Sequence, residues 1–120
     1  MKSKSIALAL AASFSAVNAY WSGFNVQATL GNGACKTQAD WEKDFTTMKS
    51  LPGAYTSMRV YASSDCNTLA NAVPAAIKTG GTILVGVWTE DNAHYEAEKA
   101  ALLKAVQTYG FGWIVAVSVG

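Results

Sequence analysis

Few side chains in this sequence of 120 residues are placed to do chemistry, because it holds only eight Asp and Glu residues, one histidine and two cysteines. His94 has no serine or cysteine motif to activate and reads as a surface residue in the first turn of a helix. Glu96 and Glu98, near the start of the same helix, read as complements to its dipole. The run Gly31-Asn32-Gly33-Ala34-Cys35-Lys36-Thr37 follows a strand and opens a helix, as phosphate-binding loops do. It fits neither phosphate template. A P-loop needs glycine immediately before its lysine, where Cys35 stands, and the dinucleotide fingerprint needs glycine where Lys36 stands. Two cysteines and one histidine disfavour a structural zinc site, so neither metal nor cofactor is expected. A formal net charge of +1 offers no basic stripe for phosphates, which argues against nucleic-acid binding and electrostatic membrane attachment.

The elements that must position these groups alternate between short apolar runs and longer helical patterns, the signature of βαβ units and a parallel sheet. The first strand is expected over Gly23 to Thr29. After the Gly31-Asn32-Gly33 break, Thr37 to Asp40 supplies a capping box for a helix with Trp41, Phe45 and Met48 on one face, ended by Pro52-Gly53. The second strand spans Ser57 to Ala62, and Asp65 is the candidate N-cap of a helix reaching about Lys78, kinked or split at Pro74. Gly80-Gly81 leads into a third strand, Thr82 to Trp88, whose continuous apolar run predicts burial on both faces. Asp91 or Asn92 caps the next helix, with Tyr95, Leu102, Val106 and Tyr109 as its core stripe and Gly110 at its end. A fourth strand runs from Trp113 to Val119. At about 30 residues per unit, four units make half of an eight-unit barrel of roughly 250 residues. The expected fold is therefore α/β, the N-terminal half of a (β/α)8 TIM barrel.

Residues 1–19 carry Lys2 and Lys4, an apolar run from Ile6 to Val17 broken by Ser13 and Ser15, and small residues at the cleavage offsets in Val17-Asn18-Ala19. This is a secretory signal peptide pattern, and its apolar run is shorter than the roughly 20 residues that span a bilayer. The expected division is a leader, 1–19, and a barrel domain, 20–120, in a secreted or cell-wall protein. Secretion makes Cys35 and Cys66 candidates for one disulfide, the alternative being two free thiols. Both cysteines follow predicted strands, so parallel neighbours would bring the two sulfurs to one end of the sheet. No Asn-x-Ser/Thr acceptor occurs, so N-glycosylation is not expected.

Four motifs in order and at matching spacing carry a resemblance: Trp21-Ser22-Gly23-Phe24-Asn25-Val26, Met58-Arg59-Val60-Tyr61, Leu84-Val85-Gly86-Val87-Trp88, and Val115-Ala116-Val117-Ser118-Val119-Gly120. Across residues 20–120 the chain resembles the fungal branch of the family 17 glycoside hydrolases, secreted wall β-1,3-glucanases and glucanosyltransferases. The resemblance implies a barrel that acts on β-1,3-glucan by a retaining mechanism with two carboxyl groups roughly 5–5.5 Å apart. It places the acid/base glutamate just beyond the end of the fourth strand and the nucleophile near the end of the seventh, so both are expected beyond Gly120. It also matches Tyr61 to a family tyrosine that faces the sugar, with Arg59 on the same strand face by alternation. Trp88, Glu90 and Asp91 end the third strand and line the same cleft in this reading, against core packing for Trp88 and helix capping for Asp91. Glu90 and Asp91 are adjacent, whereas a retaining pair flanks the scissile bond from different strands, so they do not replace the catalytic pair.

The leading expectation is an N-terminal part of a secreted β-1,3-glucan hydrolase or transglucosylase, inactive alone, with wall glucan as partner. The rivals are a noncatalytic glucan-binding or wall-associated protein and a truncated product without function, whose open edge strands would self-associate.

Overall fold

The computed structural model describes residues 22–120. The leader expected over 1–19, and Trp21 of the first motif, lie outside the described residues. The chain forms β1 (Gly23–Asn25), α1 (Gln38–Ser50), β2 (Ser57–Arg59), a 3-10 turn (Asp65–Asn67), α2 (Thr68–Thr79), β3 (Thr82–Val87), α3 (Asn92–Tyr109) and β4 (Ile114–Val119). The four strands make one parallel sheet in the order β1-β2-β3-β4, as successive βα units of a barrel do.

The helical face of the sheet is the core. Met58, Val60, Ile83, Val85 and Val87 alternate along β2 and β3 and are buried under Trp41, Phe45 and Met48 of α1 and Leu69, Ala72, Val73 and Ala76 of α2. The capping box forms as the sequence predicts: the Asp40 backbone N–H donates to the Thr37 hydroxyl, and the Thr37 backbone N–H to the Asp40 carboxylate. The alanines of α2 have no side chain beyond Cβ to hold the helix off its neighbours, which lets it pack closely against α1 and β3.

Several boundaries differ from the sequence reading. β1 stops at Asn25, because beyond Val26 the chain curls into a small hairpin in which Leu30 N–H donates to Ala34 O at 2.8 Å and Lys36 N–H to Ala28 O at 2.9 Å. β2 ends at Arg59: Val60 N–H still donates to Leu84 O at 3.1 Å, but further along the Ser63 hydroxyl, not a backbone amide, donates to Gly86 O. β3 ends one residue before Trp88, and β4 begins one residue after Trp113, whose indole N–H donates to Gly110 O. Asp65 does not cap α2. Cys66 and Asn67, within the 3-10 turn, have φ of 53° and 52°, a left-handed pair that breaks the backbone just before the helix, and Thr68 closes the turn by donating its hydroxyl to Asp65 O. α2 then runs through Pro74 as one helix.

Burial also departs from expectation. The helix side of β3 is buried, while Leu84 on the opposite face is only half-buried. In α3 the expected stripe holds in part: Tyr95, Leu102 and Val106 are half-buried and pack against the core, Tyr109 is exposed, and Glu98 and Ala105 are the fully buried positions. On β4, Val117 and Val119 are exposed on the helix side, where α3 packs on β3 and α2, and Ala116 and Ser118 are exposed on the other face.

Candidate functional site

The face opposite the helices is set by register. Asn25 pairs with Arg59 and Arg59 with Leu84, so the three lie side by side on that face, and alternation places Tyr61, Gly86 and Trp88 further along it towards the C-terminal ends of the strands. A side chain at Gly86 would not fit, since a Cβ there would lie 2.4 Å from both the Val60 and Tyr61 carbonyl oxygens. Glycine thus lets the end of β2 close against β3.

On this surface the Arg59 guanidinium stacks over the Tyr61 ring at 4.9 Å, and Tyr61 remains 46% exposed. Trp88 is 40% exposed, so it is not core, and its indole N–H donates to Glu90 Oε2 at 3.0 Å. The structure therefore joins Arg59 to Tyr61 and Trp88 to Glu90. Asp91 is placed differently: its Oδ1 accepts from His94 N–H at 2.7 Å and caps α3. Glu90 and Asp91 are thus turned to different partners, an arrangement unlike a facing carboxyl pair. The sequence reading missed Asn25, an exposed polar group in register with Arg59 at the end of β1, where strand-end position alone could have marked it.

Below these aromatics sits a group that sequence reading assigned to the helix dipole. Glu98 is fully buried. Its Oε1 accepts from Ser63 N–H at 2.8 Å and Trp88 N–H at 2.9 Å, and its Oε2 accepts both the backbone N–H and the hydroxyl of Ser64. One carboxylate from α3 thereby ties the chain beyond β2 to the chain beyond β3. Glu96 instead pairs with Lys99 on the surface. His94 is half-buried, not a free surface residue, and its Nε2 lies 2.9 Å from Asp65 Oδ1 and 4.0 Å from Glu98 Oε2. Asp65, His94 and Glu98 bring three ligand-type atoms within 4.8 Å of one another. Both Glu98 oxygens are already engaged by N–H and O–H donors, so the trio offers no open coordination sphere for a cation.

Burial pushes the Glu98 carboxyl up, but the Ser64 hydroxyl and the Trp88, Ser63 and Ser64 amides outweigh it and hold the group below the ordinary glutamate range. A depressed folded-state value means that this stabilisation is full above the ordinary glutamate range and is lost as pH falls through the lower, folded one. Thermal melts from pH 7 down to pH 3 should show the wild-type melting temperature dropping at the acid end. The Glu98→Gln variant should start lower and lack that contribution to the slope, and identical slopes would mean that Glu98 does not titrate with folding.

Cys35 and Cys66 form a disulfide, with Cα atoms 5.2 Å apart, at this same end of the sheet. The loop tested against phosphate templates is otherwise committed: Lys36 is buried, ion-paired to Asp44 at 2.7 Å, and stacked over Trp41.

No family model matches the chain. Among curated proteins, it is 51% identical over 87 residues to a glucan 1,3-beta-glucosidase of Saccharomyces cerevisiae, covering 72% of this chain and 25% of that protein. It is 40% identical over 105 residues to a glucan 1,3-beta-glucosidase of Arthroderma benhamiae, covering 87% of this chain and 33% of that one. The chain thus spans a quarter to a third of the length of these relatives. Among solved structures, a β-1,3-glucanosyltransferase of Rhizomucor miehei in complex with laminaritriose matches with a TM-score of 0.66 at 22% identity, over 81% of this chain and 35% of that one. A second structure, described as a glycoside hydrolase family 17 β-1,3-glucanosyltransferase from the same organism, matches equally well. The fold is the shared feature there, with four βα units corresponding to part of the larger chain.

Proposed function

From a chain that is similar, over most of its length, to part of the fungal glucan 1,3-beta-glucosidases, we propose that residues 20–120 form the first four βα units of a secreted barrel acting on β-1,3-glucan. The observation that carries this reading is the 51% identity to the yeast enzyme over 87 residues. The strand-end surface adds a physical reason. Exposed Tyr61 and Trp88 present rings for the apolar faces of glucose units, while Arg59 and Asn25 offer hydrogen bonds to hydroxyls. Retaining chemistry needs two carboxyl groups roughly 5–5.5 Å apart across the scissile bond. Neither Glu90 nor Asp91 is arranged that way, so in this proposal the acid/base and nucleophile glutamates belong to segments beyond Gly120. Secretion enters on the Lys2 to Ala19 pattern, and the wall polysaccharide is the proposed partner.

The test is pull-down of the chain on insoluble β-1,3-glucan. Saturable binding is expected, weakened about tenfold by Tyr61→Ala and again by Trp88→Ala, which corresponds to about 1.4 kcal/mol for each ring. No reducing sugar should appear from laminarin. Release of sugar by this chain alone would overturn the placement of the catalytic pair, and absence of binding with a folded protein would overturn the glucan reading.

A further inference from the structure

We propose that Glu98 is the positioning residue of this surface: from α3 it sets where Trp88 and the chain after Tyr61 stand, and so sets the geometry of the two aromatic walls. The inference rests on the glucan reading for its function but not for its geometry. Glu98 does not itself line the exposed cleft, being fully buried on α3. Its contacts nevertheless reach both walls. The Trp88 amide that it holds belongs to the residue whose indole is exposed, and the Ser63 and Ser64 amides follow Tyr61 by two and three positions. Two neighbouring interactions narrow the freedom of the same parts. The Ser63 hydroxyl donates to Gly86 O at 2.7 Å, and the Trp88 indole N–H donates to Glu90 at 3.0 Å. β2 and β3 have both ended before these residues, so their amides donate to the carboxylate in place of a strand partner.

The experiment compares the wild-type chain, Glu98→Gln and Ser64→Ala by NMR and by titration with laminarihexaose, well below their melting temperatures. A glutamine presents an amide NH2 towards donors that the carboxylate accepted, so the clamp is broken with little change in volume. In Glu98→Gln the Trp88 indole N–H resonance should move and the Ser63, Ser64 and Trp88 amides should exchange at least tenfold faster. The Val73 and Val85 core amides should stay protected, and hexaose affinity should fall at least tenfold. Ser64→Ala removes one donor and should give the same pattern with smaller amplitude. If Glu98→Gln does not fold, Ser64→Ala decides. An unmoved indole resonance in the folded variant, or uniform exchange across core and loop amides, overturns the proposal. A moved resonance with unchanged hexaose affinity also overturns it, leaving Glu98 a purely structural tie. A wild-type chain that folds but ignores the hexaose defeats the glucan reading instead, and the resonance and exchange data still decide the positional claim.

Discussion

Replacing Glu98 by alanine is expected to destabilise the protein by about 4 kcal/mol, the largest effect of any single side chain at the strand ends. The reasoning counts donors. Three backbone amides and one hydroxyl now end on the carboxylate. A buried donor left without an acceptor costs about 1–3 kcal/mol. Ser63 is buried and receives no replacement, whereas Ser64 and Trp88 are closer to solvent and recover part of the loss from water. A domain near 100 residues has about 5–15 kcal/mol in total, so the variant should sit near the edge of stability. Urea unfolding followed by circular dichroism provides the measurement, read as the midpoint at constant slope. A midpoint within about 0.5 kcal/mol of wild type would show that solvent satisfies all four donors, and the assigned role would fall.

Breaking the Cys35–Cys66 bond should cost about 3–4 kcal/mol, because it closes a loop with a sequence separation of 31. For a chain of this size that loss lowers the melting temperature by roughly 12–30 °C. The bond joins the hairpin after β1 to the 3-10 turn after β2, neither of which has much core of its own. Cys66 and Asn67 also hold left-handed backbone, which non-glycine residues adopt at a cost, so the reduced turn has reason to relax. The Cys35→Ala/Cys66→Ala variant, melted beside the oxidised protein, gives the number. An unchanged melting temperature would mean that the bond does not restrict the unfolded chain as the loop-closure account requires.

Much of this architecture was legible. The periodicity of Trp41, Phe45 and Met48, the Thr37 to Asp40 box and the glycine breaks reported the α/β alternation because each is a local rule with a local cause. The strand ends were not legible. Where β1 and β2 stop depends on a hairpin and on the Ser63 hydroxyl bonded to Gly86 O, neither visible in period-two patterning. Of the site, Tyr61, Arg59 and Trp88 came from resemblance and strand-end position, and the structure leaves Tyr61 and Trp88 exposed and Arg59 half-buried against the Tyr61 ring. Asp91 is a cap, as the competing reading held. Glu98 was misread because a glutamate in the second turn of a helix is ordinarily surface, and its partners lie 10 to 35 positions away. One signal was present: Glu98 falls three residues after Tyr95 and four before Leu102, within the apolar stripe itself.

The order of strands in space equals their order in the chain: Gly23 meets Ser57, Ser57 meets Thr82, and Ile83 meets Ile114. Among these four strands no pairing waits for a distant segment, since each links residues about thirty apart. A ribosome delivers about 5–20 residues per second, whereas helices form in about a microsecond, so each βα unit has time to dock before the next emerges. Assembly can therefore follow synthesis, one unit laid beside the last. Cys35 and Cys66 both belong to the first two units, so their bond can close and fix the growing edge before β3 has docked.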